Sequence, residues 1–361
     1  MKTILDKLVI KDKEIPIPII QGGMGVGVSL HPLASAVAKA GGVGIVSSAA
    51  LDRLVSKRNG KKVGTYDAVY EEISLAKAAG GFSGINIMVA LMKTYADSVR
   101  AAIDSGADFI ISGAGLPLSL PAIQPPKDTA LIPIVSSARA LRLICKKWER
   151  LGYRPDAVVL EGPLAGGHLG FKIEEIGLES NKLENLFPPV KDAAKEYGDF
   201  PVIVAGGIYT HDDIVRFLKM GADGVQMGTR FLATEESSAT LDYKSSVVNA
   251  NDSDIVIAED PASPCGLPFR ILKQSPMFVS AGGRTAKCDK GYVLSKDAEG
   301  NFTSCPAKDS NEHYFCICNG LLSSCGYNPD KENPLYTVGV NANRINEIVS
   351  VETLMRELAG F

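Results

Sequence analysis

At 361 residues and 45% hydrophobic content, the chain is long enough for one barrel of about 250 residues plus roughly 100 residues of additions, and its composition excludes disorder. A formal net charge of −3 excludes a strongly basic nucleic-acid binder. The N-terminal stretch lacks the apolar core of a signal peptide, and nowhere do about 18 apolar residues run together, so a cytoplasmic protein without a membrane span is expected.

Up to about residue 235 one unit repeats: a short apolar run, a turn, then a helical pattern closed by glycine. The runs fall at 17–20, 43–47, 84–88, 108–112, 131–136, 156–161, 201–205 and 223–227. Near-continuous Val and Ile without alternation fits parallel strands buried on both faces. Eight such units close into a TIM (β/α)8 barrel, an α/β fold, because right-handed crossovers cover the sheet with helices. An open doubly wound sheet uses the same alternation, but eight units without a switch in pattern favour closure. Ser29 is expected to cap a helix with Pro32 in its first turn that stops at Gly41-Gly42. Thr210-His211-Asp212-Asp213 reads as a capping-box start.

Several strand ends carry chemistry. The first runs into Gln21-Gly22-Gly23-Met24-Gly25, a backbone-exposing loop suited to a flat ring. The third ends in Asn86-Ile87-Met88, whose amide faces either a ligand or a structural partner. The sixth runs into Glu161-Gly162-Pro163-Leu164-Ala165-Gly166-Gly167-His168, where glycines leave space and a histidine projects into it. His31 and His211 lie at helix starts and His313 in the tail, so His168 is the candidate acid–base residue. The plainer reading is a histidine that only bonds a neighbouring loop. Glu161 serves either a ligand or the amides of its own loop. The seventh strand ends at Ala205 and is followed by Gly206-Gly207. The eighth ends in Gln226-Met227 and is followed by Gly228-Thr229-Arg230. Backbone amides at these two strand ends are where barrels hold a phosphate, unless the glycines are only tight turns. Arg230 either touches that phosphate or packs outside it.

The barrel is expected over 1–235. Residues 236–330 lose the rhythm and form a loop-rich cap lobe with Pro261, Pro264, Pro268 and Gly282-Gly283. Residues 331–361 return to helical spacing through Ile345, Ile348, Val351, Leu354 and Leu358 and pack back on the barrel. Six cysteines fall between Cys265 and Cys325. Cys288, Cys305, Cys316, Cys318 and Cys325 are the candidates for zinc or an iron–sulfur cluster, but no C-x₂-C pair occurs. Reduced thiols and no metal are therefore expected.

The segments IQGGM, GINIM, SGAG, EGPLAGGHLG, PVIVAGGI and GADGVQMGTRF, in this order from residue 16 to about 235, resemble the nitronate monooxygenase (2-nitropropane dioxygenase-like) superfamily. That group includes FMN- and NADH-dependent enoyl-ACP reductases. The resemblance implies FMN, with phosphate contacts at Gly206, Gly207, Gly228 and Thr229 and ring or ribityl contacts at Gly22, Met24, Asn86 and Gly166. Gly23, Glu161, Ala165, Gly167, Ala205, Gln226 and Met227 are expected in the same cofactor site. His168 becomes the active-site histidine. The implied reaction is oxidation of alkyl nitronates with O₂. The alternative is an NAD(P)H-dependent reductase of enoyl thioesters, toward which Val135-Ser136-Ser137 leans, since some monooxygenases carry lysine there. A non-catalytic phosphate-ligand barrel would have no need of His168. An IMP-dehydrogenase-like enzyme would need a cysteine after the sixth strand, and none is present. A homodimer is expected only from the habit of barrel enzymes.

Overall fold

Eight parallel strands close on themselves: β1 (Ile19–Gln21), β2 (Val43–Ser47), β3 (Phe82–Met88), β4 (Phe109–Gly113), β5 (Ala130–Val135), β6 (Val158–Glu161), β7 (Val202–Ala205) and β8 (Gly224–Met227). Each pairs with its sequence neighbours, and β8 returns to β1 through Val225↔Ile19, Gln226↔Ile20 and Met227↔Gln21. That closure rules out the open sheet. The computed structural model describes residues 5–280, 305–309 and 313–361.

The apolar runs hide an alternation. Ile45, Phe109, Ile111, Ile132, Val159 and Ile203 point into the barrel, while Val46, Ile110, Leu131, Val158, Val202 and Val225 pack against the helices. Both sets are buried, which is why the runs read as continuous. The barrel floor comes from a hairpin absent from the sequence reading, Leu8–Ile10 paired with Lys13–Ile15. Leu8, Ile10 and Ile15 join the interior cluster and close the end opposite the site.

Two helix expectations change. The helix His31–Lys39 has Leu30 at its N-cap, without a side-chain cap. Ser29 sits one residue too early and instead accepts from the Met24 amide and from Gln21 Nε2, each at 2.9 Å. The exposed helix amide of His31 finds Glu72 Oε1 at 2.7 Å, from the helix Thr65–Lys77. The C-terminal stretch is α-helical only over Val351–Ala359, because Ser350 caps it by accepting from Thr353 N. Ile345 therefore follows a 3₁₀ turn, Val340–Arg344, rather than an α-helix. At residue 210 the capping box forms as read: Thr210 accepts from Asp213 N, and Asp213 accepts from Thr210 N.

Glu72 is wholly buried and also meets Arg58 at 2.7 Å. Burial raises its pKa, but the bonds from His31 and Arg58 outweigh it and hold the carboxyl below its ordinary value. A lowered folded pKa contributes stability at neutral pH that is lost as acid protonates the group. Glu72→Ala is expected to cost about 1–3 kcal/mol, because it leaves the helix amide without its acceptor, while Arg58 keeps Glu71 at 2.9 Å. Urea denaturation at pH 7 and pH 4 checks this. A loss under about 0.5 kcal/mol at pH 7, or one that grows in acid, would remove the cluster from the account.

The lobe is tied to the barrel by a three-stranded antiparallel sheet of Ile255–Ile257, Phe269–Leu272 and the two residues Gly167–His168. Cys316 and Cys318 pack with Phe269, Met277 and Phe315 in its core. Among the described residues no three His, Cys, Asp or Glu side chains gather as a metal site, and Cys288 lies outside them. No described helix is long and apolar enough to cross a membrane.

Candidate active site

A cleft of about 540 Å³ opens over the C-terminal ends of the barrel strands, and every residue assigned to the site from the sequence lines it. Its deepest anchor is Gln21. The buried amide donates to Ser29 Oγ and accepts from Ile45 N at 3.0 Å, fixing the loop that follows β1. Gly23 in that loop lies so close to Asn86 that an added Cβ would come within 2.4 Å of the asparagine Cβ. From β8, Gln226 is 7% exposed and its Oε1 has no partner among the described residues. A buried acceptor left unpaired costs roughly 1–3 kcal/mol, so this atom points to a ligand.

At the β7–β8 end, the amides of Gly206, Gly207, Gly228 and Thr229 donate to no protein acceptor among the described residues. Clustered free amides make an anion site. Thr229 Oγ1 accepts from Gly339 N at 2.9 Å, which leaves its proton for a ligand. Asn341 Nδ2 donates to Gly207 O at 2.7 Å. Arg230 has its guanidinium on Glu357, at 2.7 Å, and over the Tyr209 ring.

The reason for each glycine differs. Gly206 and Gly207 have φ of +93° and +86°, and a Cβ on Gly206 would sit 2.8 Å from the Gly162 carbonyl, inside the protein. Gly228 has φ −112°, and its Cβ would make ordinary contact with Met24 at the cleft wall. Gly166 is demanded by the C-terminal segment, since the Val338 carbonyl carbon lies 2.5 Å from its would-be Cβ.

His168 is half-buried, its ring 4.5 Å from that of Phe269 and its Nε2 3.1 Å from Ser263 Oγ. Enclosure by protein pushes its pKa down to about 4, so the imidazole is neutral at pH 7. Enclosure has the opposite effect on Glu161, raising it to about 7. Desolvation is the one cause of that shift, and no hydrogen bond from its own loop contributes to it. Arg270 pins the loop between them by donating to the carbonyls of Pro163, at 2.8 Å, and Ala165.

Sequence reasoning missed the residues that reach the cleft from elsewhere in the chain: Tyr243, Leu267, Phe269 and the segment Thr337–Asn341. Tyr243 holds that segment, its hydroxyl accepting from Thr337 N at 2.7 Å. No local motif marks these positions, whose partners lie scores of residues away.

This is the architecture of a barrel oxidoreductase. The chain belongs to the nitronate monooxygenase family, matched over residues 7–360. It is 29% identical over 286 residues to an octahydro-indene-carboxyl-CoA dehydrogenase of Mycobacterium tuberculosis, covering 79% of this chain and 70% of that one. A probable nitronate monooxygenase of Bacillus subtilis is 28% identical over 262 residues, 66% of this chain and 72% of the relative. The solved structure of FabK from Thermotoga maritima superposes with a TM-score of 0.68 at 26% identity, covering 95% of this chain and 92% of that one.

Proposed function

We propose that the protein is an FMN-dependent oxidoreductase that oxidises alkyl nitronates with O₂. The observation that carries this reading is His168: a neutral imidazole, held by a neutral hydroxyl and an aromatic ring, on the cleft wall beyond β6. The residues present fit the cofactor. The free amides of Gly206, Gly207, Gly228 and Thr229 would hold its phosphate, and the loop Gly22–Met24 with Asn86 and Gly166 would face its ring. The unpaired Gln226 Oε1 supplies a buried acceptor. When bound, FMN would supply the electron acceptor for the substrate and the route of those electrons to O₂.

The chain's own residues bind and orient. Met88, Leu116, Ile134, Leu169 and Leu267 line the part of the cleft away from the phosphate end, and they favour an apolar alkyl body. His168 shares a proton with the polar end of the substrate, and the lobe excludes water around it.

A second reading, an NAD(P)H-dependent enzyme of acyl thioesters, is favoured by the carboxyl-CoA substrate in the name of the mycobacterial relative and by Ser136-Ser137 at the end of β5. Anaerobic stopped-flow absorbance of the purified holoenzyme separates the two. Bleaching of the flavin by an alkyl nitronate, with recovery in air, is the expected result. Bleaching by NADH alone would overturn it in favour of the thioester reading. A preparation with no flavin spectrum would remove both.

A further inference from the structure

We infer that Ser263, contributed by the lobe, is the positioning residue of His168: its hydroxyl donates to Nε2 and so presents Nδ1–H to the cleft. The inference rests on the assignment of His168 to the reaction. Ser263 is 2% exposed, so its hydroxyl must find its partners within the protein. As acceptor it takes the Cys265 amide at 3.3 Å. The serine side chain also bonds the Cys265 side chain, but burial keeps that group a thiol, whose sulfur is a weak acceptor and whose proton can go to the Ser263 oxygen. The strong acceptor for the serine proton is His168 Nε2 at 3.1 Å. A neutral imidazole that accepts at one nitrogen carries its proton on the other. Nδ1 has no partner among the described residues, and the ring lines the cleft.

The other ionisable groups around the ring do not compete for it. Glu161 faces the same cleft from β6 without an ion pair among the described residues, and Cys265, whose side chain also bonds Ser263, is held as a neutral thiol because burial raises its pKa. Arg270, on the strand paired with Gly167–His168, has its guanidinium on the carbonyls of Pro163 and Ala165. The pairing Phe269↔His168 and the ring contact at 4.5 Å fix the plane of the imidazole, and Ser263 then fixes which edge bears hydrogen.

The chemical consequence concerns the form in which substrate is met. An N–H facing the cleft donates to an oxygen, which suits a nitronate that arrives as the anion. It has no lone pair there to take a proton from the carbon of a neutral nitroalkane. Ser263→Ala frees the ring to change tautomer, while Ser263→Thr keeps the hydroxyl.

The test is ¹⁵N imidazole NMR of the holoenzyme, with His168→Asn identifying the resonance among the four histidines. The expected result is a proton on Nδ1 and an unprotonated, hydrogen-bonded Nε2 in the wild type and in Ser263→Thr, with that preference lost in Ser263→Ala. Steady-state kinetics are expected to give a KM for an alkyl nitronate about tenfold higher in Ser263→Ala, restored in Ser263→Thr, one lost hydrogen bond being worth about that much. A wild-type proton on Nε2, or an unchanged tautomer in Ser263→Ala, would overturn the assignment. If Ser263→Ala fails to fold, the wild-type and threonine spectra still decide the tautomer. A wild type that ignores nitronates but shows the Nδ1 proton refutes the proposed reaction and leaves Ser263 in its role.

Discussion

His168→Ala is expected to keep the flavin and to slow turnover of an alkyl nitronate by about a hundredfold or more, the usual range for a lost acid–base or donor group. The flavin stays because the groups fitted to its phosphate are the free backbone amides that follow β7 and β8, and the imidazole is not among them. The fold stays because His168 is half-buried, faces open space, and meets protein mainly at Ser263 and Phe269. Absorbance at the flavin bands and turnover with O₂ measured on the same preparation separate the two effects. Wild-type rates in the variant would take the histidine out of the chemistry.

The second large effect distinguishes a cofactor site from a turn that merely needs glycine. Gly228→Val is expected to lower FMN affinity by at least about a hundredfold, near 2.7 kcal/mol, while the apoprotein keeps its melting temperature within a few degrees. Position 228 has an unstrained φ, and a Cβ there meets nothing closer than Met24 Sδ at 3.6 Å. The branches of valine then enter the cleft where the phosphate is proposed. Gly206→Val is the contrasting case. Its φ of +93° and the Gly162 carbonyl 2.8 Å from the new Cβ make it a folding defect, so its loss of flavin would say nothing about a phosphate. Thermal melts with and without added FMN distinguish these outcomes. Full flavin occupancy in Gly228→Val would place the phosphate elsewhere.

The barrel was legible because its strands are buried on both faces, so each announces itself as a Val/Ile run without knowledge of its partner. Thr210 was legible for a related reason: a capping box is closed within four residues. Ser29 has the right chemistry for a cap, and a single sequence cannot tell that its hydroxyl is needed by Met24 and Gln21 instead. The hairpin at Leu8–Ile15 is too short, and too interrupted by charge, to stand out from a polar N-terminus. The glycine-rich strand ends gave up the cleft, since backbone exposure is written locally. Ser263, Phe269 and Asn341 could not be read this way. Their significance lies in residues 95, 101 and 134 positions away, and neither composition nor spacing encodes that.

The short pairing of Gly167–His168 with Phe269–Leu272 makes the lobe and the histidine a single mechanical part. A lobe that moved as a free flap would drag the imidazole with it, because both of its partners, Phe269 and Ser263, belong to the lobe. Lobe and imidazole therefore keep one register, and a shift of either relative to the barrel mouth would be a shift of both.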